Sequence, residues 1–211
     1  MVSVMNNMMR TVCVAVILSL SMIPLTGRAA EAGYPMPRIV VPKMGQVPVV
    51  DGRMAPGEWD AAAALTGFVS LNKPFLVHIQ TVVWFGYDEK YFYVCFKNNR
   101  GPETTLLSRS ARDPDNGAIV FEQANEVLIT PPVNPPSTFQ SLINTYPAVY
   151  DKKAIPQIGY ASLAWNGGWE VASSETNDYW IIEGRAPIKN FTASAPKNGD
   201  TWKGLFTRDL G

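Results

Sequence analysis

Histidine occurs once and cysteine twice in this 211-residue chain. Those two scarcities exclude a good deal. A zinc site built from imidazoles needs a second histidine that the chain does not have, and His78 sits beside Gln80 in an apolar-polar alternation that reads as a structural strand position. No phosphate-binding loop and no nucleophile elbow occurs. Charge of one sign is not in excess either: 18 basic residues face 18 acidic ones. No basic block stands out, which argues against nucleic acid as a partner. Helical periodicity is almost absent.

Only one long apolar run is present, Thr11 to Leu25, and it is too short to span a bilayer comfortably. Arg10 precedes it, Pro24 and Gly27 break it, and Ala29, Ala30 and Ala32 follow. That order reads as a secretory signal cut between Ala29 and Ala32, so residues 1–32 are expected to be removed and the product to be secreted or periplasmic, with no membrane segment left. Cys13 leaves with the signal. Cys95 then stands alone, and no intramolecular disulfide is possible.

What is abundant is strand pattern. Residues 33–47 hold Pro35, Pro37, Pro42 and Gly45 and read as an extended lead-in, with an edge strand at Arg38 to Val41. Val49 to Gly52 reads as a short strand closed by a turn. Ala55 to Ala64 reads as a helical turn that starts at Pro56 and buries Trp59. Val77 to Phe85 and Tyr91 to Lys97 form a hairpin around Gly86 to Lys90. Asn98 to Asn116 is polar and reads as a surface loop. Strands follow at Glu126 to Thr130, Phe139 to Thr145 and Ala148 to Asp151. Ile158 to Trp165 and Trp169 to Ser173 read as a second hairpin around Asn166-Gly167-Gly168, with Trp165 and Trp169 exposed near its tip. Tyr179 to Ile188 alternates strictly. Trp180, Ile182, Gly184, Ala186 and Ile188 share the core face, and Glu183 and Arg185 share the other. Trp202 to Thr207 is last. About eight short strands with turns between them predict an antiparallel β-sandwich, immunoglobulin-like or jelly-roll-like. Trp59, Trp84, Trp180 and Trp202 read as core.

The order of these motifs resembles the family-9 carbohydrate-binding modules. Pro48-Val-Val-Asp-Gly with Gly57-Glu-Trp-Asp-Ala-Ala is similar to that family's entry motif. Val83-Trp-Phe-Gly-Tyr-Asp-Glu-Lys-Tyr-Phe-Tyr-Val resembles its first hairpin. Asn125-Glu-Val-Leu-Ile sits in the place of its Val-Glu-Ile-Phe strand, and Asn144 with Val149-Tyr-Asp151 in that of its Asn…Tyr/Trp-Asp segment. Trp180-Ile-Ile-Glu-Gly-Arg-Ala-Pro-Ile, Asn198-Gly-Asp-Thr-Trp and Phe206-Thr-Arg complete the series, from about Val47 to Asp209.

The resemblance implies an exported, non-catalytic module that binds polysaccharide or oligosaccharide ends, monomeric or carried in a longer multidomain chain. By position it implies Phe121 in place of the family's first clamp tryptophan, Glu126 as the strand carboxylate near the sugar, and Arg208 as the terminal-strand arginine. Gln140 lies where a polar contact would come from the neighbouring strand, and Trp165 and Trp169 offer flat apolar faces to a sugar ring. The second clamp tryptophan and the last strand of the family would lie beyond Gly211, so 48–211 is expected to lack its final strand. Arg208 has a second reading, as the partner of Glu183 inside the sandwich. Structural calcium is implied as well, with Asp51, Asp88 and Asp151 at turns as its candidate ligands. Three other readings remain open. They are an interaction domain that has lost its sugar cleft, a glycoside hydrolase using two of Glu58, Glu126, Glu170 and Glu183, and a haem-binding sandwich with His78 as ligand.

Overall fold

Successive side chains leave an extended backbone on opposite sides, so alternation in the sequence decides which residues two sheets bury between them. In the computed structural model, which describes residues 37–71, 75–101, 119 and 122–209, that pattern becomes ten strands. The expected signal 1–32 and the start of the lead-in lie outside the described residues, as does most of the polar segment after Gly101. Among the described residues no helix is long and apolar enough to cross a membrane.

Strands β1 (Ala63–Leu65), β2 (Thr81–Tyr87), β3 (Tyr91–Asn99), β9 (Tyr179–Pro187) and β8 (Glu170–Glu175) make one five-stranded sheet, in the order β1-β2-β3-β9-β8. Strands β10 (Lys203–Arg208), β4 (Ala124–Thr130), β5 (Thr138–Asn144), β6 (Val149–Ile155) and β7 (Tyr160–Ser162) make the second, in the order β10-β4-β5-β6-β7. Every neighbouring pair of strands is antiparallel. The architecture is the expected β-sandwich.

The core lies where the two inner faces meet. Val83, Phe85, Phe92, Val94 and Phe96 of the first sheet pack against Val127 and Ile129 of the second. Phe206 of β10 closes over them, its ring 4.8 Å from that of Phe85. Trp180 and Ile182 meet Ile143 further along. The first sheet is buried on its outer face too. Met44 and Trp59 cover Tyr93, Cys95 and Ile181 there. Trp59 is buried as predicted, on the turn that follows Pro56.

Several boundaries differ from the sequence reading. Val77 to Gln80 does not pair as strand. The Gln80 side chain instead accepts from the Gly67 and Phe68 N–H groups and donates to the Phe68 and Val77 carbonyls, which ties off a loop before β2 and leaves His78 exposed in a bend. Arg38 to Val41 and Val49 to Gly52 form no strand. Asn98 belongs to β3 and is fully buried, not part of a surface loop.

The largest correction concerns the second hairpin. β7 pairs with β6 in one sheet, and β8 pairs with β9 in the other. The residues from Leu163 to Trp169 therefore cross between sheets and do not turn back on themselves. Both indoles are partly buried along that crossing. Trp165 packs on Phe139 and Phe191, with its N–H donated to the Asn190 carbonyl at 3.1 Å. Trp169 packs on Phe92 and Phe191 and donates to Ser141 Oγ at 2.8 Å. The expected hairpin tip is not formed, and the two tryptophans are partly exposed, because packing their aromatic faces on Phe139, Phe92 and Phe191 outweighs the local preference of an Asn-Gly-Gly tip for a tight turn.

Candidate functional site

The candidate site is best built from β4, whose residues alternate between the core and the outside. Asn125, Val127 and Ile129 point inward, so Glu126 and Leu128 point out from the second sheet. The registers set their neighbours. Thr207 of β10 lies opposite Glu126, Leu205 opposite Leu128, and Gln140 of β5 opposite Leu128. Lys152 of β6 follows beside Gln140, and Tyr150 beside Leu142.

The polar groups of this face engage one another. Gln140 Nε2 donates to Glu126 Oε1, and Thr207 Oγ1 donates to Glu126 Oε2 at 3.0 Å. Glu126 is thus held from both flanking strands, half-buried, with Leu128, Tyr150 and the exposed Leu205 around it. At one end Ile119 covers Leu142 and Ala124. A carboxylate, an amide and a hydroxyl fixed beside apolar surface can accept and donate to a polyhydroxylated ligand. Next to this group, Asp209 has its carboxyl pushed up to about 7, first by burial and then by the negative charge of Glu126.

The structure thus brings Glu126 and Gln140 together and adds Thr207, Leu128, Tyr150 and Lys152, none of which the sequence reading singled out. Alternation about Glu126 was the available signal, but it needs the β10–β4 and β5–β6 registers before it can be used. Phe121 lies outside the described residues. Trp165 and Trp169 are placed elsewhere, in the crossing between the sheets.

Arg208 is also on β10, but it points the other way. Its neighbour Phe206 is in the core, and the guanidinium Cζ lies 5.5 Å from the ring centroid of Trp180. It does not pair with Glu183. The alternation along β9 that turns Trp180 and Ile182 inward turns Glu183 outward, beneath the chain segment after Val50. There Glu183 is fully buried and accepts from the Trp59 indole N–H at 2.9 Å, the Gly52 N–H at 2.9 Å and the Asp51 N–H at 3.2 Å. Burial raises its carboxyl above the ordinary range, and those three donors pull against that rise. Arg185 reaches Glu170 on the neighbouring strand instead, Nε to Oε2 at 3.0 Å.

Each of the three aspartates expected to hold calcium accepts hydrogen bonds from protein donors. Asp51 Oδ1 accepts from the Arg53 N–H. Asp88 accepts from the Lys90 and Tyr91 N–H groups and from the Tyr93 hydroxyl; burial raises its carboxyl, but these bonds outweigh it and leave it below its ordinary value. Asp151 is no turn residue. It lies in β6, takes the Ser141 hydroxyl at 2.5 Å and the Gly167 N–H at 3.0 Å, and so anchors the crossing segment. Among the described residues, no three His, Cys, Asp or Glu side chains gather so as to hold a metal ion.

The sequence matches no protein-family model and no curated protein sequence. Solved structures are similar in fold. A carbohydrate binding module family 9 from Caldicellulosiruptor kristjanssonii in complex with glucose is 12% identical over 82% of this chain and 78% of its own, with a TM-score of 0.53. The cellotriose complex of a family 9 module from the same organism is 12% identical over 76% and 71%, with a TM-score of 0.50. A protein of Bacteroides uniformis, provisionally assigned as carbohydrate-binding, is 14% identical over 75% and 77%, with a TM-score of 0.57. At such identities the similarity is one of fold.

Proposed function

We propose that this chain is a non-catalytic saccharide-binding module of an exported protein, acting beside carbohydrate breakdown and not performing it. The observation that carries the reading is the Glu126–Gln140–Thr207 group on the outer face of the second sheet, set in a fold whose solved neighbours include complexes with glucose and cellotriose. Glu126 accepts sugar hydroxyls and Gln140 both donates and accepts. The Leu128, Leu205 and Tyr150 side chains supply apolar area for the C–H face of a ring. The non-catalytic part of the reading is supported by how Glu58, Glu170 and Glu183 are used. Glu58 caps the Val49 and Ala55 N–H groups, Glu170 pairs with Arg185, and Glu183 is sealed under Trp59. None of them faces Glu126 across a cleft, as acid–base hydrolysis of a glycosidic bond requires.

Isothermal titration with xylo- and cello-oligosaccharides tests the proposal. Saturable heat with one ligand per chain is expected for at least one series. A flat titration across both series and a panel of plant and algal oligosaccharides overturns it.

A further inference from the structure

A strand at the end of a sheet presents a row of backbone N–H and C=O groups that no neighbour takes, and such a row is a template for another strand. β10 is such a strand. It ends the second sheet, and among the described residues only β4 pairs with it. The phase of that pairing fixes which groups are left. The Asp209 N–H donates to the Ala124 carbonyl at 2.8 Å, so Asp209, Thr207, Leu205 and Lys203 turn their backbone groups toward β4. Gly204, Phe206 and Arg208 turn theirs the other way, out of the sheet.

Little guards this edge. β10 has no proline and no bulge, and its register runs unbroken from Lys203 opposite Thr130 to Arg208 opposite Asn125. Lys203, Gly204 and Leu205 are exposed. β10 lies over β2, with the Phe206 ring 4.8 Å from that of Phe85, so β1 ends the first sheet on the same side of the sandwich. The chain that leaves β1 keeps that side apolar. Leu65 and Phe68 pack on the same core cluster as Phe206. Next to them Val69 and Leu76 face each other across an antiparallel bridge and are 62% and 63% exposed.

The sequence of β10 says what fits its edge. Its own copy, laid antiparallel and centred on Phe206, sets Phe206 opposite Phe206, Gly204 opposite Arg208 and Lys203 opposite Asp209. The three residues with unused backbone groups then meet three residues of the same kind, with two hydrogen bonds in each facing pair. Lys203 and Asp209 fall on the outer face with Leu205 and Thr207, and they meet as opposite charges. Gly204 brings no side chain against Arg208.

We propose that β10 pairs in this register with β10 of a second copy of the chain and joins the two second sheets into one. The twofold axis passes between the facing Phe206 residues, so the outer faces of both copies lie on one side. Their Glu126 groups are three strand spacings apart, about 14 Å. The pairing does not depend on the saccharide reading. Under that reading one dimer offers two sites to a single polysaccharide.

Sedimentation velocity over a micromolar to millimolar concentration series tests the proposal, at about pH 8, where Asp209 is ionised. The wild type is expected to pass from monomer to dimer mass as concentration rises. Gly204→Pro removes an edge N–H that β4 does not use. It is expected to weaken the dimer by about tenfold or more and to leave the melting temperature of the monomer near that of the wild type. Lys203→Asp and Asp209→Lys each set like charges opposite one another in a homodimer. Each alone is expected to stay monomeric, and their equimolar mixture to dimerise. If Gly204→Pro does not fold, this charge exchange carries the test. A wild type that stays monomeric throughout the series overturns the proposal and leaves the edge to some other strand. A dimer that Gly204→Pro leaves as tight, or a mixture of the charge variants that stays monomeric, overturns it as well.

Discussion

The indole N–H of Trp59 meets Glu183 Oε1 at 2.9 Å across 124 residues of sequence. Two backbone donors, Asp51 N–H and Gly52 N–H, complete the carboxylate's partners. One side chain of a central strand thus holds down the segment that covers the outer face of the first sheet. In Glu183→Gln an amide NH2 replaces one acceptor oxygen and faces N–H groups that need an acceptor. Stability is expected to fall by about 1–3 kcal/mol, read from urea midpoints. Trp59→Phe keeps the ring and loses one donor, so about 1 kcal/mol is expected. Unchanged midpoints in both variants would show that this contact contributes nothing.

Gly52 has φ +81°, and a Cβ added there would lie 2.8 Å from the backbone carbonyl carbon and oxygen of Ser173. Those are backbone atoms of β8, which cannot swing aside. Gly52→Ala is expected to cost more than the roughly 1 kcal/mol of a left-handed backbone alone. It should also loosen the Glu183 contact next to it. Amide exchange of Gly52 and Trp59 Nε1 would rise together if the segment lifts as a unit, and an unchanged pattern counts against it.

Glu126→Ala and Gln140→Ala remove two sides of the outer-face group. Each is expected to weaken saccharide binding by about 1–2 kcal/mol, roughly five- to thirtyfold, with little change in melting temperature because both side chains are only half-buried. Full affinity in both variants would move the site off this face.

Asp209 gives a pH dependence whose sign is fixed. Its folded pKa is raised to about 7 from an ordinary 3.8, so the folded chain holds this proton more tightly than the unfolded chain. The contribution is fully present below about pH 4 and is lost as pH rises toward 7. By the linkage of about 1.4 kcal/mol per pH unit, its upper bound is about 4 kcal/mol. Asp209→Asn should therefore be more stable than the wild type above pH 7, with the difference vanishing near pH 4. A difference that stays constant from pH 4 to 8 contradicts this.

Trp169 is expected to behave as a core residue. Trp169→Ala should lose about 3–5 kcal/mol, and Trp169→Phe about 1 kcal/mol for the bond to Ser141. A fully stable Trp169→Ala that no longer binds sugar would return this residue to a binding role.

The hairpin of β2 and β3, the burial of Trp59 and Trp180 and the sandwich itself were legible because each depends on local alternation and a nearby turn. The partners of Glu183 were not. Alternation told that it faced away from Trp180, but the cover on that side comes from Asp51, Gly52 and Trp59, which no local pattern links to β9. The same holds for Trp169. Its neighbours Gly167 and Gly168 are turn-formers, and only the pull of Phe92, Phe191 and Ser141 from two different sheets shows why the chain crosses there. Glu126 and Gln140 were found by resemblance, while Thr207 and Tyr150 required the registers of β10 and β6. Propensity reports on neighbours in sequence, and these positions are decided by neighbours in space.

The position of β10 has a consequence for how the protein is made. Phe206 fills the space beside Phe85 and Phe96, and Thr207 bonds to Glu126, 81 residues earlier. A nascent chain that has produced β2 to β9 still lacks both the edge of its second sheet and the aromatic ring that seals the core. Closure must wait until β10 has left the ribosome, so completion of the sandwich is governed by pairings distant in sequence.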